Sequence, residues 1–255
     1  QLCAARGDLS ALLSVPPEFD LDPCVNYFSR LENQISTVGG DRVLSYGAAF
    51  HPWLLVSDTP GDLQPQAPDG TIAGILAARA ISGGAWYSPA NQVLKGALGL
   101  EPDLPFSSRP VFFAAQINQL EQDPRGFLAQ ASATLSGDTE LNELGVRRLM
   151  ILLRRLALRD GVKFVFESND THLQRRVRRE FEGMLQTMYL KGAFAGASPD
   201  QAYMVVCDSR VNTEDDSDAG RFIVELRVAP SRPLQFLTVR LVQSGGALSV
   251  NEVAT

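Results

Sequence analysis

Two histidines, three cysteines and one run of arginines are the residues of this chain whose chemistry could serve catalysis or binding. His51 and His172 lie far apart in sequence, and neither belongs to an HExxH pair or a Cys/His cluster, the patterns that gather ligands for zinc. Cys3, Cys24 and Cys207 are odd in number and widely spaced, with no CxxC. They read as reduced thiols rather than a disulfide framework. No GxxxxGK[ST] loop is present to cradle phosphate, and no GxSxG elbow to expose a nucleophile. The sequence therefore assigns no catalytic, cofactor-binding or metal residue. His51, beside Pro52 and Trp53 in an apolar stretch, reads as packed core, and His172 as a solvated residue in the first turn of a helix. A hydrolase-like enzyme using His51 or His172 is the alternative reading.

The arginine run has more to say. In "THLQRRVRREFEGMLQTMYLKGAF", Arg175, Arg178 and Arg179 share a helix face opposite the apolar stripe, and Arg176 lies beside them. Such a face can be merely solvated, or it can dock protein, since Arg suits interface ion pairs. It could also bind nucleic acid, a second alternative. Against that, the chain carries a net charge of −6, and no aromatic residues interleave with the arginines as base-stacking platforms would. From Glu140 to Glu180 there are ten Lys or Arg against six Asp or Glu, so a basic segment sits in an acidic chain and suits an acidic partner. The acidic loop Glu214, Asp215, Asp216 and Asp218 lacks the spacing of a calcium loop and reads as a solvated hairpin connection. Trp53, Trp86 and Tyr87 read as core or subunit-contact aromatics.

These groups need elements to position them. At 255 residues, 45% apolar and 20% charged, the chain is of ordinary globular composition, with no apolar run long enough to span a bilayer and no signal peptide. It opens on Gln1 inside what reads as a folded segment, so we expect the ordered part of a longer protein. A strand is predicted over Leu9–Val15 and a helix over Pro23–Val38, ended by Gly39-Gly40. Val43–Asp58 reads as a buried strand interrupted at Pro52, and residues 59–70 as a loop. A helix follows over 71–82, capped by Asp69 or Thr71, and then a turn-rich loop. Prolines 102, 105 and 110 place a domain boundary near residues 101–110. Beyond it, "GFLAQASATLSGD" reads as a strand, and Asp138 or Asn142 opens a long helix through Val146, Leu149, Leu153 and Leu156. Leu173, Val177, Phe181, Met184, Leu185 and Met188 mark the clearest helix, with Asp170 as N-cap and Gly192 just past its end. Three strands close the chain over 202–208, 221–229 and 234–243. Strands and helices are mixed with no βαβ repeat, so the fold class is α/β (α+β mixed).

Several of these segments, in this order, resemble the contractile tail sheath proteins of phages, pyocins and contractile injection systems. "SYGAAFHPWLLVSD" looks like the family's Ala–aromatic–Pro–Trp strand. "GTIAGILAARAISGGAWYSPANQVLKGALGL" is similar to its helix and Pro–Ala–Asn turn, and "ATLSGDTELNELGVRRLMILLRRLAL" to its strand and Arg–Arg–Leu helix. "KFVFESND" with the arginine helix resembles its Phe–Glu–x–Asn loop and long helix, and "FIVELRVAPSRPLQFLTVRLVQ" its closing strands with an Ala–Pro–x–x–Pro element. Gln66-Ala67-Pro68-Asp69-Gly70 stands where the family has Pro-Pro-Ser-Gly, and Ala133 where it commonly has Arg.

The resemblance implies a two-domain sheath-type subunit with mixed sheets flanked by helices and an extended C-terminal arm. It would hold residues 1–108 as the C-terminal portion of an outer domain whose upstream part is missing, 109–245 as the inner domain, and 246–255 as the arm. It implies a homo-oligomer of stacked hexameric rings around an inner tube protein, with baseplate and terminator proteins as further partners. No cofactor, enzymatic activity, nucleic acid or membrane span is implied. Assembly would take place in the bacterial cytoplasm, and the product would be a virion tail or released contractile particle. Arg175, Arg176, Arg178 and Arg179 become candidates for a tube-facing or subunit-interface surface. Ala247, Leu248, Ser249, Val250 and Asn251 become candidates for an inter-subunit arm that adds strands to a neighbour's sheet.

Overall fold

The computed structural model describes residues 1–59, 61–165, 167, 170–230 and 235–253, without the side chains of Ser36, Val38 and Gly39. Phe166, Ser168 and Asn169 of the expected Phe–Glu–x–Asn loop lie outside these, as do Ser231–Leu234 of the Ala–Pro–x–x–Pro element and the last two residues of the expected arm. The chain forms two compact units, Gln1–Arg148 and Leu149–Thr255.

In the first unit, helix α1 (Leu2–Arg6) and strand β1 (Ala11–Leu13) lead into helix α2 (Leu21–Leu44). Gly39-Gly40 does not end that helix as expected. Gly40, at φ 64°, kinks it, and the helix resumes for one more turn. The expected strand over 43–58 is two strands, β2 (Gly47–His51) and β3 (Trp53–Thr59), in different sheets. Pro52 marks the switch, because it has no N–H to donate to a continuing ladder. The expected loop over 59–70 contains strand β4 (Asp62–Gln66), an exposed edge whose polar residues give no burial signal. Helix α3 (Pro68–Ser82) starts earlier than predicted, with Pro68 in its first turn, so Asp69 and Thr71 lie inside it rather than capping it.

Strand β5 (Gly99–Glu101), helix α4 (Arg109–Ala114), and strands β6 (Ile117–Asp123) and β7 (Gly126–Ala129) complete the unit. One sheet has the order β1-β2-β6-β7, with β1–β2 and β2–β6 parallel and β6–β7 antiparallel. The β1–β2 pair is joined through α2, a parallel crossover that the sequence reading did not anticipate. A second sheet has the order β4-β3-β5, all antiparallel. Strand β2 is buried along its whole length: Ala48 and Phe50 pack in a cluster with Ile72, Leu76 and Leu120, while Ala49 packs in another with Phe28, Phe112 and Ile117. That is the signature of a strand covered on both faces.

The compact units do not divide near residue 108. Strands β6 and β7, expected to open the second domain, hydrogen-bond into the sheet that begins with β1 and β2. The division falls instead inside helix α5 (Leu144–Gly161).

The second unit continues through helix α6 (Thr171–Leu190), helix α7 (Pro199–Ala202), strand β8 (Tyr203–Val206) and helix α8 (Glu214–Asp218). Strands β9 (Arg221–Val228), β10 (Leu237–Ser244) and β11 (Ala247–Val253) follow. These strands form an antiparallel meander, β11-β10-β9-β8. The acidic segment expected as a bare hairpin connection carries the single turn α8, held by a capping box between Thr213 and Asp216. The mixture of helices with one mixed and two antiparallel sheets is the α/β (α+β mixed) class read from the sequence.

Candidate interaction faces

Helix α6 presents the arginines because its other side is spoken for. Leu173, Val177, Phe181, Leu185 and Met188 are all buried and recur at helical spacing. Each contributes roughly 1.5–3 kcal/mol of burial for the larger side chains. The helix starts where predicted: the Asp170 carboxylate accepts a hydrogen bond from the Leu173 N–H at 2.7 Å. That bond holds the carboxyl below its ordinary range. The end is also as read. Gly192, at φ 75°, lets its own N–H reach the Tyr189 carbonyl (2.8 Å) while the Ala193 N–H reaches Met188 (3.1 Å). This is a Schellman motif.

The four arginines are not equivalent. Arg176 pairs with Glu167 and lies over the Phe164 ring at 5.5 Å. Arg178 approaches Glu182 one turn on, at 3.2 Å. Arg175 and Arg179 contact only main-chain carbonyls of their own helix, Thr171 at 3.1 Å and Arg175 at 3.4 Å. Both are exposed, and among the described residues neither forms a salt bridge, although Arg175 lies near enough to Asp170 to help hold its carboxyl low. The positive charge of this face that is free of salt bridges is therefore narrower than the sequence run, two guanidinium groups one helical turn apart.

Ala247–Asn251 do not hang as an isolated tail. They lie in β11, paired residue for residue with β10 from Ser244↔Ala247 to Thr238↔Val253. The turn is Gly245-Gly246, both at positive φ, the two-residue connection that suits a hairpin. The alternation read from sequence holds: Val250 is buried and Leu248 half-buried, whereas Ala247, Ser249 and Asn251 are exposed. The register beneath is locked by charge. Glu225 on β9 is 3% exposed and accepts from Arg227 (2.7 Å) and from Arg240 on β10 (2.5 Å). Burial works to raise its pKa, but these hydrogen bonds outweigh it and hold the carboxyl below its ordinary range. Strand β11 is an edge of its sheet.

The histidines offer no comparable arrangement. The His51 ring is wholly buried against Phe112, with centroids 5.9 Å apart, and among the described residues neither nitrogen makes a well-formed hydrogen bond. Burial drives its pKa down to about 4 against the smaller opposing pulls of the Phe19 backbone and Asp20. His172 is exposed in the first turn of α6. Among the described residues no three His, Cys, Asp or Glu side chains gather as metal ligands, and no helix is long and apolar enough to cross a membrane.

Sequence reasoning missed β6 and what it holds. Asn118, Gln119 and Glu121 are buried polar residues, invisible to a hydropathy pattern. Each has a partner: Asn118 bonds the backbone of Ala49 and Ala133, Gln119 donates to Ser108, and Glu121 pairs with Arg109. The one available signal was the spacing of Arg109 and Glu121 about a proline-opened helical turn.

No protein-family model matches the chain. In sequence it is 27% identical over 179 residues to the tail sheath protein of Vibrio phage KVP40, an alignment covering 68% of this chain and 26% of that one. Among solved structures it resembles the sheath complex of PVC, an extracellular contractile injection system, in its contracted state. There the TM-score is 0.72 at 25% identity, over 88% of this chain and 61% of the other. It also shares the fold of a chain in the contracted baseplate of the anti-feeding prophage, with a TM-score of 0.77 at 22% identity, covering 92% and 60%. The chain thus spans about a quarter of the curated relative and about three fifths of these solved chains. Sequence and fold agree with the resemblance carried by the motifs: the chain is similar to contractile tail sheath proteins.

Proposed function

We propose that this chain is a structural subunit of a contractile sheath that polymerises around an inner tube and contracts to drive the tube through a target envelope. The observation that carries this reading is the match along 88% of the chain to a sheath protein in its contracted state, on the same motif order that the sequence displays. Sheath copies in stacked hexameric rings, the inner tube, the baseplate and a terminator are the partners, and the particle is a virion tail or a released injection system. The work of contraction is stored in assembly: a metastable lattice relaxes through a bistable interface while each subunit moves largely as a rigid body, with no nucleotide required.

In this reading Arg175 and Arg179 face the tube, with Arg176 and Arg178 held in place beside them. Exposed pairs contribute about 0–1 kcal/mol each, weak enough to release on contraction yet repeated over every subunit. The edge of β11, residues 247–251, is where neighbouring subunits stay linked, by addition of a strand. The test is negative-stain microscopy of the sheath protein co-expressed with its tube protein. Striated tubes or stacked rings are expected. Bare tubes beside dispersed monomers would overturn the sheath reading. Sheathed particles whose tube association is unaltered in Arg175→Glu/Arg179→Glu would overturn only the tube-facing assignment.

A further inference from the structure

A groove of about 470 Å³ lies in the first unit between the edge strand β5 and the C-terminal half of β6. Its floor is apolar, formed by Leu55, Leu120 and Phe127, and its rim carries Leu98 and Phe106, which are 60% and 67% exposed. Large apolar side chains standing open beside a concave apolar floor mark a surface that gains from being covered.

The backbone makes the groove more specific than an apolar patch. Among the described residues strand β5 pairs with β3 alone, which leaves its other edge without a strand. Strand β6 pairs with β2 over Ile117–Gln119. From Leu120 to Asp123 its register is with β7 alone, because β2 ends at His51 and the chain turns away at Pro52. Gly99 and Leu100 of β5, and Leu120 and Gln122 of β6, border the same groove. Two strand edges that lack a partner on one side, flanking one apolar trough, are what an added strand requires.

Charge selects the occupant. Asp103 lines the groove and Glu101 ends β5; both are exposed, and among the described residues no cation pairs with either. Glu121 lines it too, but is engaged by Arg109, whose guanidinium also covers the Phe106 ring at 4.9 Å. Asp103 on the groove and Glu101 at the end of β5 are thus left without counter-ions, while Glu121 and the nearby Arg109 neutralise each other. We propose that this groove docks an extended segment of another polypeptide, apolar on its inward residues and carrying Lys or Arg toward Asp103 and Glu101. The proposal is independent of the arginine face and of the β11 edge.

The experiment is fluorescence anisotropy on the full chain with three labelled seven-residue peptides. One alternates valine with lysine, the second alternates valine with glutamate, and the third is the lysine peptide with alternate backbone nitrogens methylated. The lysine peptide is expected to bind, with the glutamate and N-methylated peptides at least ten-fold weaker. Asp103→Lys should weaken the lysine peptide at least ten-fold, whereas Asp200→Lys, an exposed change in the other unit, should not. Asp103 is exposed, so unchanged tryptophan fluorescence is expected to confirm that the variant folds. Equal binding of the lysine and glutamate peptides, no effect of Asp103→Lys, or no binding at millimolar peptide would each overturn the proposal. So would tight binding of the N-methylated peptide. Self-association of the chain that Asp103→Lys abolishes would replace the proposed occupant with a second copy.

Discussion

Each unit is built on a four-stranded sheet, and the two sheets reach that number by opposite routes. In the second unit β8 to β11 follow one another along the chain and pair antiparallel in sequence order. In the first, β1, β2, β6 and β7 come from segments spread between Ala11 and Ala129, two of the three pairings are parallel, and other elements intervene. A meander sets its register through short turns and alternating burial. The two parallel pairings of the first sheet have no short turn to do so, and here polar side chains supply the alignment. The Asn118 amide donates to the carbonyls of Ala49 (2.9 Å) and Ala133 (2.8 Å), and its oxygen accepts from the Ala133 N–H (2.6 Å). One wholly buried side chain thus joins β6 to β2 and to the following loop.

The second unit has a counterpart that makes the contrast testable. Asn212 donates to the Ile223 carbonyl (2.8 Å) and accepts from the Ile223 N–H (2.7 Å), extending the meander by one rung beyond the end of β8. Asn118→Leu should lower the stability of the first unit by about 3 kcal/mol, since buried backbone groups lose their partners. Asn212→Leu should cost the second unit only about 1.5 kcal/mol, because its turns still fix the ladder. Both tryptophans, Trp53 and Trp86, lie in the first unit, so urea unfolding followed by fluorescence reports that unit, and amide exchange in β9 reports the other. Equal losses would mean that the two registers are held in the same way.

The first sheet also carries a proton sensitivity at the end of β2. His51 is buried with a pKa of about 4, whereas in the unfolded chain it returns to about 6.5. The unfolded state therefore binds more protons between those values, and stability falls as pH drops through that window. Between pH 7.5 and pH 5 the loss amounts to about 2 kcal/mol. Native carboxyls held low, such as Asp208 at about 2, add their own loss at lower pH, so the comparison is with His51→Leu. That variant should show a visibly flatter decline of the fluorescence-detected midpoint over the same range. A slope unchanged by the substitution would remove His51 from the account.

How far the sequence carried this picture follows from the same contrast. Helix α6 was legible in full, because its apolar stripe, the Asp170 cap and Gly192 all act within a few residues of one another. Strand β11 is half legible: the alternation of Leu248 and Val250 is plain, yet the expected arm begins at Gly246, inside the tight Gly245-Gly246 turn that the positive φ values make. Strand β4 was lost because an exposed edge containing Pro65 shows neither burial nor periodicity. Strand β6 was lost because Asn118, Gln119 and Glu121, buried between and beside Ile117 and Leu120, are polar and satisfied from afar. Of the candidate face, the run of arginines was plain, but Glu167 and Glu182 divide it into paired and unpaired members. Side-chain pairing of that kind lies beyond a charge count.

Smaller effects separate what holds α6 from what it displays. Asp170→Ala removes the acceptor for the Leu173 N–H and should cost about 1 kcal/mol, with faster amide exchange confined to the first turn of the helix. Exchange that rises evenly along α6 would instead show that the apolar stripe, not the cap, sets where the helix begins.

Charge reversal on the opposite face should do almost nothing to the isolated chain. Arg175 and Arg179 are exposed and form no salt bridge among the described residues, so Arg175→Glu/Arg179→Glu should change stability by less than about 0.5 kcal/mol. Arg176→Glu differs in kind, since it places a carboxylate beside Glu167 and takes a cation off the Phe164 ring. Its loss should be the larger of the two and should shrink in high salt as the repulsion is screened. If instead the double variant is the one that destabilises the fold, Arg175 and Arg179 are structural residues, and the exposed face of α6 loses its standing as an interaction surface.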